Sequence, residues 1–195
     1  MKNILLSLLT LVLISSVARA ADFTTTVDHA TPNVNDVIEV TVHASVPAGE
    51  SFVAAAVFLA FDKTKLELTE QVPIGALPYL SLPDSRTLAD INASGEIHAG
   101  GQTFPTGTPV SGSLTLGKFK FRALAAGTTN VTSAAYDPAT KLFGNSLRRA
   151  DDSRVIPSTP APLPITIGGG ATVSIQMDVA SVSVPEGATA TFQVR

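Results

Sequence analysis

A chain of 195 residues with 13 basic and 16 acidic side chains and no cysteine is long enough for one packed domain and a little more. The missing cysteine excludes disulfide staples and the lipid-attachment site that a bacterial lipoprotein carries behind its leader. The mildly acidic balance provides no electrostatic footprint for nucleic acid or for an anionic membrane surface, so neither is expected as a partner.

Residues 1–20 have the layout of a cleavable signal peptide. Lys2 supplies the positive start, residues 4–14 are apolar apart from Ser7 and Thr10, and Ala18-Arg19-Ala20 places small residues where a signal peptidase reads them. The apolar run falls short of the roughly 20 residues that a spanning helix needs. Cleavage before Ala21 is therefore expected, giving a secreted or cell-surface protein with no membrane insertion. It also removes Lys2 and Arg19, leaving eleven basic against sixteen acidic residues.

From there the chain is rich in Val, Thr, Ala and Gly, with turn signals about every ten residues, the pattern of an all-β sandwich. Residues 37–43 alternate, with Ile38, Val40 and Val42 on one face. Residues 52–61 form the longest apolar stretch of the mature chain and end at the polar turn Asp62-Lys63-Thr64-Lys65. The alternation resumes at Leu66-Glu67-Leu68-Thr69, and residues 95–99 suggest a short strand. Residues 113–124 predict a long strand buried through Leu114, Leu116, Phe119 and Phe121; the change of parity between Leu116 and Phe119 calls for a bulge near Gly117. Residues 128–135 and 165–167 supply the closing strands. Helix signals are weak throughout, and residues 73–90, with three prolines and Tyr79, are expected to form a long loop of the kind that often carries function.

A domain over residues 21–167 is expected to end at the flexible joint Gly168-Gly169-Gly170. Residues 171–195 then hold two strand-like segments around the turn Pro185-Glu186-Gly187, and two strands cannot bury a core of their own.

No catalytic constellation is visible. His29, His43 and His98 are not spaced as paired metal ligands, and on predicted strands His43 and His98 suit solvent-facing positions. No G-x-S-x-G elbow occurs, and the glycine pairs lack the lysine and helix of a phosphate loop. No metal and no cofactor are expected. Arg148, Arg149 and Arg154 beside Asp151 and Asp152 suggest local ion pairs of little worth in a solvated loop.

The alternating strand before Phe61-Asp62, the short strand opened by Lys65-Leu66-Glu67, and Leu116 to Ala123 closing on Ala126-Gly127-Thr128-Thr129 resemble the bacterial cohesin family over about residues 25–167. The resemblance implies a nine-stranded jelly-roll β-sandwich, shared with some carbohydrate-binding modules, and a non-catalytic receptor for dockerin modules. The segment around Val184-Pro185-Glu186-Gly187 is similar to the opening of Calx-beta modules, which are associated with calcium. Asp178 and Glu186 are the only carboxylates of that segment, too few for the 6–8 oxygens that calcium takes; any loop site would have to draw on Asp84, Asp90 and Asp137.

One strand stands out as a candidate site. With Val53, Ala55, Val57, Leu59 and Phe61 turned to the core, Ala54, Ala56, Phe58 and Ala60 form an outward stripe without charge or hydroxyl, an unusual face to leave in water. The resemblance places this strand on the dockerin-binding face, where relatives often carry polar residues and this chain has Ala54 and Ala56. Either a protein partner docks there, with Tyr79 of the long loop as a further candidate contact, or that loop covers the stripe. The rival function is polysaccharide binding. It lacks an aromatic platform, since the chain has no tryptophan and only Tyr79 and Tyr136.

Overall fold

The computed structural model describes residues 21–72, 79–82 (backbone), 84, 86–103, 108–137, 139 and 144–169. Along these residues run β1 (Asp22–Val27), β2 (Val37–Val46), β3 (Ala54–Phe61), β4 (Leu66–Val72), β5 (Tyr79–Leu82), α1 (Leu88–Ser94) and β6 (Glu96–Gln102). They are followed by β7 (Gly112–Ala123), β8 (Gly127–Thr132), β9 (Ser146–Arg148), β10 (Arg154–Val155) and β11 (Leu163–Ile167). One sheet has the order β1-β2-β7-β4; the other has β10-β9-β3-β6-β5, with β8 joined to both β3 and β11. All the strand pairs are antiparallel.

Period-two burial assembles the two sheets into a sandwich. β2 turns Ile38, Val40, Val42, Ala44 and Val46 inward, and β3 turns Ala55, Val57, Leu59 and Phe61 to meet them. Phe61 and Phe121 meet edge-on across the sheets with ring centroids 5.1 Å apart, a favoured aromatic geometry. The bulge predicted near Gly117 is present. Val42 stands opposite Gly117 and His43 opposite Thr115, so Leu116 is the extra residue, and both Leu116 and Phe119 reach the core.

The architecture is all-β as expected, but the details differ from the sequence reading. Eleven strands occur among the described residues where the resemblance implied nine; β5, β9 and β10 are the short ones, with four, three and two residues. The chain already enters a strand at Asp22, with Phe23 buried. Val53 is half-buried and lies ahead of β3, while Phe52 takes the core position at that end and bridges to Val110. Part of the expected 73–90 loop is ordered as β5 and the start of α1; residues 73–78, 83 and 85 lie outside the described residues.

Helix α1 has a local cause. Thr87 accepts a hydrogen bond from Asp90 N at 3.2 Å while the Asp90 carboxylate accepts from Thr87 N at 3.3 Å, a reciprocal cap. Gly95 ends the helix at φ 74°, and a Cβ there would lie 2.8 Å from Phe61 O. Ile91 anchors the helix in the core. Asn92 meanwhile accepts from Leu68 N at 2.7 Å and donates to Leu68 O at 2.9 Å, covering the outer edge of β4 as a paired strand would.

At the far end Gly168 N donates to Pro32 O at 2.7 Å and Gly168 O accepts from Val34 N. The first glycine of the expected joint is thus bonded to the β1–β2 connection. The tail read as a Calx-beta opening lies outside the described residues. Because β11 and Gly168 already have their partners, deleting residues 171–195 is expected to move the melting temperature by no more than about 2 °C, a shift worth roughly 0.5–1 kcal/mol in a domain of this size. Calorimetry checks this, and loss of the cooperative transition would show that the tail completes the sandwich.

Candidate functional site

The outward faces of the two sheets are chemically opposite. On the β1-β2-β7-β4 sheet Lys118 pairs with Glu39, Lys120 with Glu70 and Arg122 with Glu67, each at 2.7 Å. Such half-buried to exposed cross-strand pairs stabilise little and suit a face that remains in water.

On the other sheet the predicted stripe lies where the alternation put it. Ala55, Val57, Leu59 and Phe61 are buried, and Ala54, Ala56, Phe58 and Ala60 are half-buried on the outer side. The register extends this stripe into rows. Ala54 stands between Arg148 and Gln102, Ala56 between Ser146 and Gly100, and Ala60 between Thr132 and Glu96. Phe58 stands opposite His98, their rings tilted at 43° with centroids 5.3 Å apart. Tyr79 is opposite Gln102 in the β5–β6 pairing, so the backbone brings it to the same row as Ala54. His98 therefore faces outward as expected, resting on Phe58 and 3.3 Å from Glu96. His43, on the other sheet, meets Thr115.

A polar device missed by the sequence reading holds the centre of the stripe. β9 pairs with β3 at residues 54–56 and β8 at residues 60–61, which leaves Phe58 between them. Asn145 Oδ1 accepts from Phe58 N at 2.8 Å, Ser133 Oγ donates to Phe58 O at 2.8 Å, and Asn145 Nδ2 donates to Ser133 Oγ. Asn145 is fully buried, and Gly144 before it packs so closely that a Cβ would lie 2.4 Å from the Ala135 carbonyl. In the sequence, Gly144-Asn145-Ser146 carries only a turn signal; the bond to Phe58 spans 87 residues.

A second device anchors β6. The buried Asp84 carboxylate accepts from His98 N at 2.8 Å and from Arg86 N at 3.1 Å and Nε at 2.8 Å, and Arg86 Nη2 also reaches it and Glu96 O. Burial pushes the Asp84 carboxyl up, but the Arg86 hydrogen bonds and the two backbone amides outweigh it and hold it below the ordinary carboxylate range. A depressed folded-state value contributes stability above the unfolded value of about 3.9, and that stability is lost as pH falls through the folded value. Asp84→Asn is expected to cost about 2 kcal/mol at neutral pH and to flatten the acid limb of the stability profile. Urea unfolding between pH 2 and 7 measures both.

The other candidate carboxylates do not gather into a cation site. Asp84 belongs to Arg86, Asp90 to the α1 cap, and Asp137 accepts from Ala139 N at 2.8 Å. Among the described residues no three His, Asp or Glu side chains converge as metal ligands. The arginine loop departs from the purely local pairing expected of it. Arg148 does pair with Asp152, but Arg149 reaches Glu50 and lies over Phe52, and Arg154 stacks on Tyr136 with its guanidinium 3.8 Å from the ring centroid. A groove of about 340 Å³, lined by Ala54, Gln102 and residues of this loop, lies at that end of the stripe.

No protein-family model matches the sequence, and no curated protein matches it. Solved structures do match its fold. A cohesin from Clostridium acetobutylicum is 20% identical with a TM-score of 0.56, covering 77% of this chain and 93% of that one. A cohesin module of a Clostridium perfringens family 33 glycoside hydrolase is 11% identical at TM-score 0.56, covering 77% and 98%. The cohesin of a type I cohesin–dockerin complex from Clostridium thermocellum is 10% identical at TM-score 0.58, covering 76% and 99%. The expected resemblance to cohesins therefore holds at the level of the fold.

Proposed function

We propose that this chain is a secreted, non-catalytic interaction module whose outer β3–β6 face receives a dockerin-like protein partner. The observation that carries the reading is the contrast between the two sheets. One outward face is closed by its own ion pairs, whereas the other presents four consecutive outward positions of β3 with neither charge nor hydroxyl. A half-buried stripe of this kind, rimmed by Glu96, Gln102 and Arg148, has the apolar centre and polar margin of a protein interface. In the Clostridium thermocellum structure a cohesin of the same fold holds a dockerin. Polysaccharide binding is the weaker reading, since there is no tryptophan and one face of Tyr136 is covered by Arg154.

The test is calorimetric titration of the chain with a panel of recombinant dockerin modules, beside a retention assay on cellulose and chitin. Saturable binding of a dockerin supports the proposal. Retention on a polysaccharide with no dockerin bound would replace it by the carbohydrate reading.

A further inference from the structure

Between β10 and β11 the chain reads Pro157-Ser158-Thr159-Pro160-Ala161-Pro162, and Pro164 follows inside β11. This stretch runs parallel to β1 without forming a ladder with it. Asp22 bridges to Ser158, and the next link is from Thr166 N to Ala30 O. Between those two links no backbone hydrogen bond joins the segments among the described residues. The sequence supplies the reason. Thr166 turns its amide away from β8, so by alternation residues 160, 162 and 164 are the ones whose amides would face β1. All three are prolines and have no N–H to donate.

β1 is left with an open edge. Asp28 N bonds Glu39 O, so the same alternation aims the backbone groups of Phe23, Thr25 and Val27 away from β2. An unpaired edge is a template for association with another chain. Beside it lies a groove of about 340 Å³ whose lining includes Asp22, Thr24, Thr25, Thr159, Pro160 and Ala161, a volume at the small end for ligand sites. The lining offers hydroxyls, one carboxylate and the carbons of Pro160 and Ala161, with no cation. That chemistry suits the hydroxyls and the apolar face of one neutral sugar.

Thr159 is placed to carry such a sugar covalently. It is exposed, and neither its hydroxyl nor its backbone has a hydrogen-bond partner among the described residues. Ser158 beside it gives its hydroxyl to Asp22. Thr24 and Thr166 are exposed too, but their backbones are fixed in the β1–β2 and β8–β11 ladders. A transferase can draw an unpaired acceptor such as Thr159 into its own site, and Ser and Thr set among prolines are the composition of O-glycosylated stalks.

We propose that Thr159 is an O-glycosylation acceptor whose single neutral sugar lies in this groove and covers the open edge of β1. Thr159 Oγ1 attacks the anomeric carbon of a phosphate-activated sugar, and the new glycosidic C–O bond forms as the bond from that carbon to the phosphate oxygen breaks. The hydroxyl proton passes to a base of the transferase, and the phosphate leaves. The inference rests on export of the chain and is independent of the β3 face.

The chain purified from the culture medium of the organism that encodes it tests this, beside Thr159→Val and Ser158→Ala made in the same organism. Intact mass and peptide fragmentation are expected to place one hexose on Thr159, lost in Thr159→Val and kept in Ser158→Ala. Hydrogen exchange at the amides of Phe23, Thr25 and Val27 is expected to be slower in the glycosylated chain than in Thr159→Val. An exported chain with Thr159 unmodified would overturn the inference and leave the secreted reading intact. A chain held in the cell with residues 1–20 attached would overturn both. A sugar on Thr159 with equal exchange rates would overturn its seat in the groove.

Discussion

Asn145→Ala is expected to lower the stability of the domain by roughly 3 kcal/mol, although the residue belongs to none of the regular strands. Its side chain is fully buried and supplies the acceptor for Phe58 N, in the interval where β3 has passed β9 and has not reached β8. Truncation leaves that amide without a partner, at a cost of about 1–3 kcal/mol, and leaves a small cavity whose lining loses its contacts. It also takes a donor from Ser133, which holds Phe58 O. Ser133→Ala is expected to cost less, about 1 kcal/mol, because Asn145 remains in place. The double variant should cost less than the two changes added together, since both act on one network. Urea unfolding monitored by circular dichroism measures all three. A loss below about 0.5 kcal/mol in Asn145→Ala, the range of ordinary surface changes, would show that water or backbone replaces the bond.

The same region separates what the sequence makes legible from what it does not. Alternation is local, so the outward set Ala54, Ala56, Phe58 and Ala60 follows once the inward set is recognised, and the parity change at Gly117 announces its bulge. Asn145 works through a partner 87 residues away, and no local pattern encodes that distance. β9 and β10 have three and two residues, too few to display a period, and owe their existence to the neighbouring strand. Helix α1 was legible in principle. Thr87 and Asp90 have the spacing of a cap and Gly95 closes the helix, but the prolines just before it give the stretch the look of a loop. The apolar half of the candidate site could therefore be read from the chain, while the charged ends of its rows required the register.

Phe58→Ser should separate binding from folding. Phe58 is the one large side chain of the stripe, half-buried against His98, and its backbone is held independently by Asn145 and Ser133. Aromatic anchors at the centre of an interface dominate its energy, so loss of the ring should weaken a bound dockerin by about 2 kcal/mol or more, roughly thirtyfold in Kd. Because the ring is only half-buried in the chain itself, the fold should lose only about 1 kcal/mol. A stripe covered by the domain's own chain gives the opposite result. The ring then belongs to the core, its removal costs roughly 3 kcal/mol or more of stability, and affinity follows only through the fraction folded. Titration of the dockerin that wild type binds, beside urea unfolding of the same preparation, distinguishes the two outcomes. A Phe58→Ser protein unchanged in both measurements would remove Phe58 as an anchor, and with it the assignment of the β3 face as the partner surface.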